Sequence, residues 1–170
     1  MSLVAIAVGS LLMSMPAQGA DAASRPVSLA DFDGCWSGTG NAAGMDIVGK
    51  LKVSPILAGT HRLFEIETHA KGNSQDRVYT HIIVGETAEI LGVLTSYFAD
   101  SFGADFAASG KGTIDADGLS IEYARPRYPE VNRWAIDGSV LRWSMTTVRA
   151  PDDHIVYQTV ELSRVPCPRA

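Results

Sequence analysis

Metal or acid–base chemistry in this chain would have to be built from four histidines, His61, His69, His81 and His154. None stands in an HExxH or HxH spacing, the patterns that bring two imidazoles to one ion. Glu65, Glu67 and His69 alternate. In a strand they would share one face, about 6.6 Å between neighbours, close enough to surround a cation. Phe64 and Ile66 take the opposite face, so a solvated outer surface is the better reading of these three. Asp100-Ser101 sets a carboxylate beside a hydroxyl, but no GxSxG elbow surrounds the serine, and Asp100 suits a turn cap. The glycines form no phosphate loop. Arg62 shares the Phe64/Ile66 face as an inward cation. In "ARPRYPE", Arg125, Arg127 and Tyr128 offer an arginine–tyrosine pair that can orient a carboxylate. A proline-stiffened solvent loop fits that stretch slightly better. No acid–base pair emerges, so an enzyme is unsupported, and no cofactor is implied.

Whatever these residues do, β-strands must position them. The chain has 170 residues, 46% hydrophobic and 19% charged, which suits one globular domain with a sizeable core. A net charge of −5 without a basic stripe argues against nucleic acid and against anionic lipid as partners. Residues 1–22 read as an export signal: an apolar run from Leu3 to Met15, then small residues at Ala17-Gln18-Gly19 and Ala20-Asp21-Ala22. That run is too short to span a bilayer, so no stable membrane anchor is expected after cleavage. Residues 23–27 read as a flexible tether and 28–170 as the folded domain, periplasmic or secreted.

Turn signals recur about every ten residues, the spacing of an all-β sandwich or barrel. Ser28 and Asp31 can cap a short helical turn. Ten strands follow, near 34–40, 45–57, 61–70, 77–84, 88–98, 104–115, 119–125, 131–136, 139–148 and 154–165. Asp117-Gly118 and Asp137-Gly138 suit type I′ hairpin turns. Alternation turns Ile47, Leu51, Val53 and Leu57 inward, together with Tyr123, Trp134, Trp143 and Met145. The last strand is ambiguous: Val156, Val160 and Leu162 share a face with His154 and Gln158, while Ile155 and Tyr157 take the other. Spacing alone does not separate a barrel from a sandwich.

"GCWSGTG", residues 34–40, resembles the Gly-x-Trp-x-Gly-x-Gly start of bacterial lipocalin-like domains. "ILAGTHRLFEI" and "YFADSFGADFAASGKGTIDADGLSI" are similar to later stretches of that family. The resemblance implies a single antiparallel up-and-down barrel, with Trp36 plugging the closed end and Arg164 laid over its indole. First and last strands are neighbours in such a barrel, so an exported chain would bond Cys35 to Cys167. A metal or catalytic thiol is the open alternative, although no CxxC or nearby histidine supports it. Related haem-binding barrels use a late histidine, and His154 is the nearest candidate.

A barrel of this size is either filled by side chains or holds one small ligand. The candidate lining is Arg62, Phe64, Ile66, Tyr97, Phe102, Phe106, Tyr123, Arg125, Arg127, Trp134 and Trp143. "TSYFADSFGADF" is either a mobile aromatic portal or two strand ends packing the mouth. The expected ligand is a small apolar or amphipathic molecule. A barrel enzyme of isomerase, cyclase or hydrolase type, a haem barrel, and a filled envelope interaction domain are the alternatives. Nothing in the sequence sets the oligomeric state.

Overall fold

A computed structural model describes residues 26–169; the expected export signal lies outside them. Ten antiparallel strands close into one barrel: β1 (Gly34–Ala42), β2 (Met45–Ile56), β3 (His61–Ala70), β4 (Arg77–Glu86), β5 (Val93–Asp100), β6 (Ala108–Ile114), β7 (Gly118–Tyr123), β8 (Glu130–Asp137), β9 (Val140–Ala150) and β10 (Asp153–Val165). Each strand pairs with its sequence neighbours, and β1 pairs with β10, with Trp36 opposite Arg164. Closure leaves no free sheet edge, which answers the edge problem a long meander otherwise has.

Alternation fills the lower barrel. Leu51 and Val53 of β2, Phe64 and Ile66 of β3, Ile82 and Val84 of β4, Ile121 and Tyr123 of β7 and Trp134 of β8 are all buried in one core. Leu57, expected on the inward face of β2, is 65% exposed. The strand ends at Ile56, and positive φ angles at Leu57 and Ala58 turn the chain outward. The loop between β8 and β9 is Gly138-Ser139, one residue later than the Asp-Gly reading. Gly138 has φ 59°, the place glycine takes in a type II′ hairpin.

One end is sealed. Residues Leu29–Phe32 form a short 3-10 turn across it, and the Asp31 carboxylate accepts from the backbone N–H of Ser28 at 2.7 Å. Val27, expected in the flexible tether, packs against the core. Phe32 is fully buried, its ring 5.9 Å from that of Phe64. The Trp36 indole N–H donates to the Phe32 carbonyl at 2.9 Å. Arg164 lies 4.1 Å over the indole and donates to the carbonyls of Asp31 and Asp33. Arg62 belongs to this end too: its Nε donates to the Asp33 carboxylate at 2.7 Å. Cys35 and Cys167 are disulfide-bonded with Cα atoms 5.2 Å apart. Such a bridge belongs to an oxidising, extracytoplasmic compartment.

The glycines of β1 have a specific job. A Cβ on Gly38 would lie 1.9 Å from the Glu161 carbonyl oxygen, and one on Gly40 2.0 Å from that of Thr159. The backbone of β10 crosses β1 too closely for any side chain there.

Candidate functional site

The opposite end is not filled. Trp134 and Trp143 stack with centroids 4.6 Å apart and planes 5° from parallel. Trp134 lies in the sealed core, and Trp143 lines a cavity of about 560 Å³. That volume is within the range of small-molecule sites, about 300–1,000 Å³. Val78, Phe98, Trp143 and Met145 give the cup apolar walls, and Phe102 and Phe106 stand at its rim. Thr68, Thr80, Asp100, Glu130, Thr147, Tyr157 and Gln158 supply polar atoms.

The polar side is organised around Glu130. On β8, residues 130, 132 and 134 share the inward face, so Glu130 and Asn132 project into the barrel above Trp134. The Trp143 indole N–H donates to Asn132 Oδ1 at 2.9 Å. Asn132 Nδ2 donates to Glu130 Oε1 at 2.8 Å, and Arg125 Nη2 reaches the same oxygen at 3.4 Å. Arg125 also lies 4.5 Å over the Phe98 ring and donates to the Phe106 carbonyl. Burial, and then the charge and hydrogen bond of Glu130, push the Tyr157 phenol far above its ordinary range. Tyr157 therefore stays protonated at neutral pH, beside that carboxylate. Burial likewise raises Tyr123, whose hydroxyl bonds Ser96 at 2.8 Å. Both tyrosines act as fixed hydrogen-bonding groups and not as proton-transfer groups at neutral pH.

A β-bulge completes the wall. The β10–β9 register shifts between Val156 and Gln158. Before the shift Ile155 and Tyr157 face inward; after it Gln158, Val160 and Leu162 do. Tyr157 and Gln158 thus enter the cup from consecutive positions, which an unbroken strand cannot do. The same shift leaves Val156 56% exposed and carries His154 to the outer surface, its ring nitrogen 2.8 Å from the Pro151 carbonyl oxygen. His154 therefore does not enter the cavity as a haem ligand.

Of the residues singled out from sequence, the cup gathers Phe102, Phe106, Arg125, Arg127 and Trp143. Phe64, Ile66 and Trp134 are buried below it, and Arg62 holds the sealed end. Tyr123 is buried in the wall beside Phe98, the two rings 5.4 Å apart. Tyr97 is 62% exposed on the outer face, because its neighbour Phe98 takes the inward position. Residues 104–106, expected in a strand, instead form a 3-10 turn. It follows Gly103, and the Asp100 carboxylate caps the preceding bend at the Phe102 N–H, 2.9 Å away. The rings of Phe102 and Phe106 meet at 5.8 Å on the rim.

Sequence reasoning missed Glu130, Asn132, Tyr157 and Gln158. The first two were legible, since they continue the inward phase of Trp134. Gln158 shares the phase of Val160 and Leu162, and Tyr157 enters only through the bulge. The Glu65/Glu67/His69 face is an outer ionic ladder: Glu65 pairs with Lys52 at 3.1 Å, and Glu67 with Lys50 and Arg77. No protein-family model matches the chain, and no curated protein matches it.

Proposed function

We propose that this protein is an exported, lipocalin-like carrier that holds one small amphipathic molecule in the open end of its barrel. The observation that carries the reading is the cup of about 560 Å³, whose lining combines the apolar Val78, Phe98, Trp143 and Met145 with the polar Glu130 network. Burying apolar ligand surface against Val78, Phe98, Trp143 and Met145 supplies affinity, at about 25 cal/mol per Å² before the costs of association. The polar side fixes orientation. The cysteine bridge supports an extracytoplasmic site of action, and the first 22 residues support export to the periplasm or beyond.

Native mass spectrometry of protein isolated from its own compartment tests this, together with titration by the neutral fluorophore N-phenyl-1-naphthylamine. A co-purifying small molecule, or saturable dye binding with quenching of Trp143, is the expected result. Protein that is consistently empty and takes up no dye overturns the reading.

A further inference from the structure

The cup's own charges are already committed. Arg125 is held by Glu130, by the Phe98 face and by the Phe106 carbonyl. Glu130 Oε1 accepts from Asn132 and pairs with Arg125. The indole N–H of Trp143 is used by Asn132. Arg127 is at the solvent-exposed mouth, over Tyr128. An anionic ligand would meet no free buried cation. It would also meet the carboxylates of Asp100 and Asp105, which share the same lining. Burying a carboxylate without a counter-charge is costly. An ammonium fares little better, because those two carboxylates stand toward the rim, where solvent screens them.

One buried donor in the lining is left without a partner. Among the described residues, Gln158 Nε2 is buried and has no hydrogen-bond partner, and Gln158 lines the cup. Leaving such a group unsatisfied is unfavourable. The bulge just before Gln158 turns Tyr157 inward as well, so the two side chains enter the cup side by side. The other buried side-chain atom without a hydrogen bond, Glu67 Oε1, has ion-pair partners on the outer surface.

Resting on the carrier reading above, we infer that the ligand is a neutral amphiphile whose head carries an oxygen acceptor, a ketone, ester or ether, and that this oxygen is received by the Gln158 amide. The apolar body lies against Phe98, Trp143 and Met145. The Glu130 network then serves to neutralise Arg125.

Displacement of N-phenyl-1-naphthylamine at pH 7 by a matched set tests the head group: undecane, 2-undecanone, decanoate and decylamine. The ketone is expected to bind about tenfold tighter than each of the other three, the worth of one satisfied buried donor. In Gln158→Met, of similar shape but without the amide, the ketone's advantage over undecane should shrink to about threefold or less. In Glu130→Gln, which releases Arg125, decanoate should gain about tenfold relative to the ketone. Decanoate or decylamine binding as tightly as the ketone to the unaltered protein overturns the inference. So does an unchanged ketone-to-undecane ratio in a folded Gln158→Met protein. Absence of dye binding in the unaltered protein defeats the carrier reading itself, a separate outcome from either.

Discussion

The two ends of this barrel use the same kinds of residue to opposite purposes. At the sealed end an arginine, a tryptophan and a carboxylate close the structure: Arg164 over Trp36, Arg62 on Asp33. At the open end Arg125, Trp143 and Glu130 form a comparable set and leave a cavity beside it. What differs is the covering chain. A 3-10 turn is laid across one end and a disulfide fastens it. The other has loops and the short 3-10 turn Ala104–Phe106 at its rim, and these leave the cup open. Polar contacts alone do not decide whether a barrel end is a plug or a site; the backbone laid across it does.

The largest test of that contrast is Trp36→Ala. It removes a side chain only 1% exposed and should cost about 3–5 kcal/mol in urea unfolding, as core Trp truncations do. Below the melting transition, dye uptake at the other end should change less than twofold. A loss of binding far beyond the loss of folded protein would show the two ends to be coupled. Next in size is the double substitution Cys35→Ser/Cys167→Ser. The bridge spans 132 positions of sequence, for which chain-entropy reasoning gives about 5 kcal/mol as an upper guide and experience about 2–5. Denaturation of oxidised and reduced protein side by side measures it, and equal midpoints would show the staple to be idle.

The sealed end was far more legible in the sequence than the cup. Gly34 to Gly40, the tryptophan, both cysteines and Arg164 are rare residues at fixed places, and each constrains backbone or covalent geometry directly. Period-two alternation also placed Phe64, Trp134 and Trp143 inward, because those strands run without interruption. It failed on β10, where the bulge reverses the phase and sends Val156 out and Tyr157 in. It failed again at Tyr97, which an aromatic count drew into the portal although alternation with Phe98 sends it outward. From sequence Arg125 reads as part of a solvent loop or of a pair that orients a carboxylate, because its partner, Glu130, lies on the far side of a proline-rich loop. Bulges and loop-spanning pairs are set by tertiary closure, and no local spacing announces them.

A smaller effect follows from the tyrosines of the open half. Tyr123 and Tyr157 both have folded-state values above the unfolded phenol value near 10, chiefly because burial disfavours the phenolate. A group raised in this way contributes its full stability below the unfolded value. That contribution is lost as pH rises above about 10, since only the unfolded chain then releases the proton. Urea midpoints should therefore hold steady from pH 8 to about 10 and fall beyond it. Tyr123→Phe/Tyr157→Phe should flatten the alkaline fall while lowering stability at neutral pH through the lost Ser96 and Glu130 contacts. An equally steep fall in the double variant would place the alkaline sensitivity elsewhere.

The finest comparison sets Arg164 against Arg125, each an arginine over an aromatic ring and near a backbone carbonyl. Arg164 is exposed, and its stacking on Trp36 is worth about 0.5–2 kcal/mol depending on desolvation. Arg164→Ala should lower stability by that amount and leave the cup untouched, since the contact only covers a plug that is already closed. Arg125 is half-buried, with its side chain 15% exposed against a Glu130 side chain 12% exposed. Arg125→Ala leaves a carboxylate in the wall without its cation and frees the 3-10 turn that carries Phe106. It should therefore cost more stability than Arg164→Ala and also weaken dye binding severalfold, two effects read from one urea titration and one fluorescence titration. If the two variants lose stability equally and neither alters dye affinity, the ends differ in shape alone. The Arg125–Glu130 network would then be wall and not part of the site.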